Sequence, residues 1–212
     1  MVEAVLFDWD GTLFDVFDFL VDTYTKVFSE IGVEPWPQEK YRTEFRCDWK
    51  SLLIDMGMEQ HLDHLIDVWN TEKYEKENEL KLHDGAFECV KKLSADKTLG
   101  IVSSAPKEIL RSEVKRFGLD KYMDLVLSFE DTENNKPHPE PLLTAAKILD
   151  LDTSKTVYVG DMVEDIQSAK SAGVRPIAVS WGIHSPKTLE KEKPDYIAKT
   201  FQDLLEYIET LD

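Results

Sequence analysis

Cysteine is scarce. Cys47 and Cys89 are the only two in 212 residues, too few for a disulfide framework and not spaced as a metal-binding pair. No stretch approaches the ~20 continuous apolar residues of a membrane-spanning helix. The N-terminus lacks the basic-then-apolar pattern of a secretory signal, so a cytoplasmic, reduced setting is expected. Positive charge is also short: 25 Lys and Arg against 42 Asp and Glu leave a net charge of −17. Nucleic acid and anionic membranes both need basic surface, so neither is an expected partner. Most of the acidic excess reads as a solubility surface. There is no internal repeat, no low-complexity tract and no Gly-x-x-x-x-Gly-Lys-Ser/Thr loop, which excludes a P-loop nucleotidase.

What remains has the composition of a globular protein, 42% hydrophobic and 32% charged. Short apolar runs recur at Val5–Phe7, Leu99–Val102, Leu125–Leu127, Val157–Val159 and Ile177–Val179. Apolarity without alternation fits strands buried on both faces. Helical stripes separate them: Leu110, Val114 and Phe117, stopped by Gly118; Leu142, Ala145, Ala146 and Leu149; Phe201, Leu204, Leu205 and Ile208. Strand–helix alternation of this kind predicts an α/β fold, a Rossmann-like parallel sheet with helices on both faces.

One interval breaks the alternation. Phe17, Leu20, Val21, Tyr24, Val27, Phe28 and Ile31 keep the 3.6-residue period, and Gly32, Pro35 and Pro37 end it. Leu62, Leu65, Ile66 and Trp69 form a second stripe. Residues 15–83 are therefore expected to be a small all-helical insert after the first strand. Residues 1–14 and 84–212 form the α/β domain, with Phe87–Leu93 as a crossover helix.

The apolar runs end in chemistry. Asp8 and Asp10 follow the first, Ser103 and Ser104 the second, and Asp161 with Asp165 the fourth; Lys136 lies between the third and fourth. In a parallel sheet all strand C-termini share one edge, so these residues converge on one crevice. Four carboxylates crowded there would repel and take up protons. A hard cation resolves this, and Mg²⁺ suits carboxylates, carbonyls and a substrate phosphate. Ser103, backbone N–H groups or a helix N-terminus could hold phosphate oxygens, and Lys136 adds a positive charge. The set fits phosphoryl transfer by positioning and charge stabilisation.

"DWDGT", "VSSA", the lysine of "NNKPHPEP" and "GDMVED", in that order, resemble the four motifs of the haloacid dehalogenase-like hydrolase superfamily. The insert is similar to that superfamily's small helical cap. "GVRPIAVSWG" and "PDYIAKTFQDLLEYI" resemble its phosphoglycolate-phosphatase-type branch. The resemblance implies a nucleophile at Asp8, forming an aspartyl-phosphate, and a general acid and base at Asp10. It implies phosphoryl binding by Ser103 and charge compensation by Lys136. It implies Mg²⁺ held by Asp8, Asp161 and the backbone carbonyl of Asp10, with Asp165 in or just behind the shell. Gly11 and Thr12 would shape the turn and the phosphoryl site. Ser104 stands where many relatives carry Asn; it lines the site or caps a helix begun by Pro106. A carboxylate at Asp10 disfavours dehalogenation, whose leaving halide needs no proton.

The resemblance implies a Mg²⁺-dependent phosphatase for a small phosphate ester, phosphoglycolate-like, working as a monomer or homodimer. The alternatives are a phosphomutase of the same superfamily, a 2-haloacid dehalogenase, and a non-catalytic binding module. Within the insert, Arg42, Arg46 and Lys50 fall at i, i+4, i+8 and would share one helix face. Arg42 or Arg46 could then bind a substrate carboxylate, unless the face is solvated and paired with Glu39 and Glu44. His61, His64 and His138 read as surface or structural residues.

Overall fold

A computed structural model describes residues 1–212. Its centre is a parallel sheet of six strands in the order β5-β4-β1-β6-β7-β8. In chain order the strands of the molecule are β1 (Ala4–Phe7), β2 (Phe14–Asp15), β3 (Lys81–Leu82), β4 (Thr98–Val102), β5 (Leu125–Leu127), β6 (Thr156–Gly160), β7 (Arg175–Val179) and β8 (Tyr196–Ala198). The helices are α1 (Phe17–Glu30), α2 (Gln38–Glu44), α3 (Trp49–Asp55), α4 (Leu62–Glu75), α5 (Ala86–Leu93), α6 (Lys107–Arg116), α7 (Glu140–Leu149), α8 (Val163–Ala172), α9 (Pro186–Leu189) and α10 (Phe201–Glu209). The expected α/β class and all five expected strands are present.

β1 is the middle strand, with Phe7 opposite Ile101 of β4 and Val159 of β6. Its side chains alternate between two cores. Val5 and Phe7 join the larger, with Val90 of α5, Leu110 of α6 and Leu204 of α10; Leu6 joins the other, with Leu142 and Ala145 of α7 and Ala169 of α8. Every residue of β1 is buried, which explains its unbroken apolar run. The chain leaves β1 for β4 on one side and reaches β6 on the other. Asp8 therefore stands at the point where the strand order reverses, the usual place of a ligand crevice.

The segment between β1 and α5 is tied at its base by a two-stranded antiparallel ribbon, Phe14 opposite Leu82 and Asp15 opposite Lys81. Every other element from Phe17 to Glu75 is helical. α1 and α4 pack together through Phe19 and Trp69, whose rings meet edge-on at 4.8 Å. Tyr24, Tyr41 and Phe45 form an aromatic cluster with centroids 5.5–6.4 Å apart. The larger core runs without a break from the sheet into these helices.

Three features differ from expectation. The interval 15–83 is not all-helical, because Asp15 and Lys81–Leu82 belong to the β2–β3 ribbon at its base. Residues 40–50 are not one helix. α2 ends at Glu44, Phe45 is extended (φ −63°, ψ 150°), and Asp48 caps α3 by accepting the Ser51 N–H. Asp48 favours a cap over a helix interior, and Tyr41 and Phe45 both turn into the aromatic cluster. Arg42, Arg46 and Lys50 thus do not share a helix face. The edge strand β8 is a second addition: its three residues, set between Pro194 and the α10 cap Thr200, are too few to leave an apolar run in the sequence.

Candidate active site

The turn after β1 is built on one carbonyl. Trp9 C=O accepts the N–H groups of Thr12, Leu13 and Phe14 at 3.2, 3.0 and 3.0 Å. Gly11 takes φ +81°, where a side chain is strained, and a Cβ there would overlap the Asp161 carboxylate. Thr12 does not face the cavity; its hydroxyl donates to Asp161 Oδ1 at 2.7 Å. The Ile183 N–H donates to Asp161 Oδ2 at 2.7 Å. A Cβ on Gly182 would also overlap Asp161. Two glycines therefore leave the room in which this carboxylate is held.

Asp165 sits in the first turn of α8. Its Oδ2 accepts the N–H groups of Asp161 and Met162 at 3.1 and 2.9 Å. Its Oδ1 accepts Lys136 Nζ at 2.7 Å. Lys136, 4% exposed, also reaches Asp8 Oδ1 and the Tyr158 hydroxyl, each at 3.0 Å. Tyr158 passes its own proton to Val102 C=O at 2.8 Å. Burial works against the lysine's charge, but Asp165 and Asp8 outweigh it and hold its pKa well above the ordinary value. Lys136 is thus a fixed cation beside Asp8.

The carboxylates respond in the opposite sense. Burial raises Asp8 to about 7 against the pull of Lys136, with Asp165 pushing the same way as burial. Burial raises Asp161 well above its usual range, helped by Asp165 and Asp8. Burial raises Asp10 to about 6, while Lys73 opposes and Glu113 assists.

Oxygens of Asp8, Asp161 and Asp165 lie within 4.8 Å of one another. Asp8 Oδ1 has the Lys136 ammonium as its one partner, and Asp10 Oδ1 is buried without a hydrogen-bond partner. Oxygen donors, crowding and unanswered lone pairs suit a hard divalent cation. Asp165 already faces a cation, Lys136 at 2.7 Å, whereas the partners of Asp161 are the neutral Thr12 hydroxyl and Ile183 N–H, so Asp161 is the one left needing a counter-charge. The Asp10 side chain lies outside this cluster.

Ser103 follows β4, and its hydroxyl accepts the Ala105 N–H at 3.1 Å. Ser103, Ser104, Asp8 and Asp10 border one cavity of about 180 Å³ between the sheet edge and the helical segment. Ser104 caps nothing: α6 starts after Pro106 with no side-chain cap. Arg42 and Arg46 are not at the cavity. Arg42 stacks on Phe17, 3.8 Å from the ring centroid, and donates to Gly182 C=O at 3.0 Å. Arg46 pairs with Asp55 at 2.6 Å on the surface. Neither is positioned to anchor a substrate carboxylate.

A buried chain of contacts links the first motif to residues outside any motif. Trp9, between the two aspartates and fully buried, donates its indole N–H to Glu113 Oε2 at 2.9 Å. Glu113 Oε1 pairs with Lys73 of α4 at 2.7 Å. The signal for Glu113 was an acid inside the apolar face of Leu110, Val114 and Phe117.

A family model of the haloacid dehalogenase-like hydrolases matches residues 5–179. The chain belongs to that family. A candidate pyrophosphatase PpaX of Caldanaerobacter subterraneus is 32% identical over 216 residues, covering 100% of this chain and 96% of the relative. Pyrophosphatase PpaX of Bacillus mycoides is 28% identical over 96% of this chain and 95% of its own. The crystal structure of a candidate phosphoglycolate phosphatase from Lactobacillus plantarum superposes with a TM-score of 0.83 at 24% identity, covering 97% of this chain and 99% of that one. The last likeness is one of fold.

Proposed function

We propose that this chain, a phosphatase of its family, is Mg²⁺-dependent and hydrolyses a small phosphate monoester through an aspartyl-phosphate on Asp8. The observation that carries the reading is the Asp8–Lys136–Asp165 array beside Asp161, with Asp10 standing apart and Ser103 opposite.

Asp8 attacks phosphorus, and the bond from phosphorus to the ester oxygen breaks. Lys136 favours the ionised form of the attacking carboxylate and offsets the charge of the phosphoryl oxygens. Ser103 orients those oxygens. Asp10, with its pKa raised to about 6, gives its proton to the leaving alkoxide. It then takes a proton from the water that attacks the phosphoaspartate, which releases phosphate and restores Asp8. Asp8, Asp161 and the Asp10 carbonyl would hold Mg²⁺, with Asp165 orienting Asp161 through its backbone. The bound ion supplies Lewis-acid stabilisation of the phosphoryl charge. Residues 15–83 serve as a cap over this site, and residues 1–14 with 84–212 as the core that carries it.

The test is release of inorganic phosphate from phenyl phosphate. Turnover is expected with Mg²⁺, to vanish in EDTA, to return on adding Mg²⁺, and to be absent from Asp8→Asn. Full activity in EDTA, or in Asp8→Asn, contradicts the reading.

A further inference from the structure

Resting on the phosphatase reading above, we propose that the alcohol half of the substrate is uncharged and apolar, an alkyl or aromatic group, and carries neither a carboxylate nor a second phosphate. The cavity divides into two halves. Its polar end is Asp8, Asp10, Ser103 and Ser104, which meet the phosphoryl group. Away from that end the walls are Leu20 and Tyr24 of α1, Phe45, Trp49 of α3, and Leu65 and Trp69 of α4, faced from the core by Ile109, Met162 and Ile183.

A second anion would have to lie among these side chains. Of the side chains beyond the phosphoryl end, only Lys73 carries positive charge, and Glu113 holds it at 2.7 Å. A substrate carboxylate would have to compete with that buried partner. Cys47 contributes a thiol that burial keeps far above its usual pKa, so it adds no charge. Arg42 and Arg46, the arginines that could have answered a carboxylate, are held by Gly182 and Asp55. An anion stripped of water without a partner is disfavoured, and the net charge of −17 adds to that. An alkyl or aryl group instead gains by leaving water, and Trp49 and Trp69 offer it aromatic surface. Asn70 offers a polar group to a hydroxyl.

The experiment measures kcat/KM by phosphate release, with the full chain and Mg²⁺. The substrates are methyl, ethyl, propyl, butyl and hexyl phosphate, set against phosphoglycolate and pyrophosphate. Burial of each methylene is expected to raise kcat/KM about fourfold until the cavity is filled. Propyl phosphate is expected to exceed phosphoglycolate, its charged counterpart in size. The variant Ile66→Arg, on the cavity wall, is expected to lower activity on hexyl phosphate and raise that on phosphoglycolate about tenfold or more, as a charge-assisted hydrogen bond would. A direct binding measurement guards against a misfolded variant. Hexylphosphonate, which cannot be hydrolysed, is expected to change the emission of the wild-type tryptophans at lower concentration than ethylphosphonate. A flat alkyl series with phosphoglycolate or pyrophosphate ahead overturns this proposal and leaves the phosphatase reading standing. No phosphate release from any of these esters overturns both.

Discussion

Glu113 is the place where one substitution should be felt in both the helical segment and the catalytic turn. The carboxylate is 7% exposed, and its two oxygens serve different masters: Trp9 N–H on one, Lys73 Nζ on the other. Glu113→Gln keeps an acceptor for Trp9 but leaves Lys73, whose side chain is 15% exposed, without its counter-charge. Breaking a fully buried pair costs about 3–5 kcal/mol, and the residual exposure of Lys73 puts this case at about 2–3 kcal/mol. Lys73→Met leaves the opposite charge stranded at a similar cost. The double variant strands neither and should lose about 1 kcal/mol, so the coupling energy is about 3–5 kcal/mol. Glu113→Ala should be worse than Glu113→Gln by about 1–3 kcal/mol, because the buried indole N–H loses its acceptor. It should also lower kcat, since Trp9 spaces Asp8 from Asp10. Urea unfolding followed by tryptophan emission gives the four stabilities. If the single losses add within about 0.5 kcal/mol in the double variant, the ion pair carries no coupling and the argument fails.

Two further predictions concern the carboxylates. Asp10→Asn should cut turnover of an alkyl phosphate by roughly 10²–10⁴-fold and that of p-nitrophenyl phosphate far less, because the nitrophenolate leaves without a proton; equal losses would refute the general-acid role. The metal-free protein should lose stability as pH rises from about 5 to 7. The folded pKa of Asp8 is raised from 3.8 to about 7, so in that window the folded chain holds a proton that the unfolded chain has released, and stability falls with pH. Melting temperatures in EDTA across pH 5–8 check this, and Mg²⁺ should flatten the decline. A melting temperature that climbs through the same window and ignores Mg²⁺ would contradict it.

The strand-end aspartates were legible because two simple facts act together. A strand buried on both faces leaves an unbroken apolar run, and a parallel sheet sends every such run to the same edge. Asp8, Asp161 and Asp165 therefore announce themselves, and Lys136 stands out as a lone cation among prolines; the structure brings all four together. The helix ends were legible for a similar local reason, as at Gly118, which takes φ +69° after α6. What lay hidden depends on contacts between distant segments. Glu113 differs from any surface glutamate only because Trp9 and Lys73 arrive from 104 residues and one helix away. Arg42 and Arg46 looked like an anchoring face because periodicity was assumed to continue through Phe45. Local capping by Asp48 and aromatic packing by Tyr41 and Phe45 overrode it.

The same override explains what Arg42 does. The segment 182–188 grips Asp161 on one side, through the Ile183 N–H on Oδ2 and the His184 N–H on the Asp161 carbonyl at 3.3 Å. On its other side it grips the end of α2. Arg42 Nη1 donates to Gly182 C=O at 3.0 Å, and the Ser185 N–H and Thr188 hydroxyl donate to Arg42 C=O at 3.0 and 3.1 Å. His184 completes the clasp. Its Nδ1 accepts the Val163 N–H at 3.0 Å, so its proton lies on Nε2 and is donated to Phe45 C=O at 2.9 Å. Burial lowers the His184 pKa, which keeps the ring in that neutral form. One short stretch of backbone thus fixes both a carboxylate of the catalytic cluster and the helical segment that walls the cavity. The residues that wall the cavity cannot shift at Arg42 or Phe45 without pulling on the peptide that orients Asp161. Arg42 therefore belongs to the joint between the two halves of the site, with its charge spent on Gly182 and Phe17 rather than on a ligand.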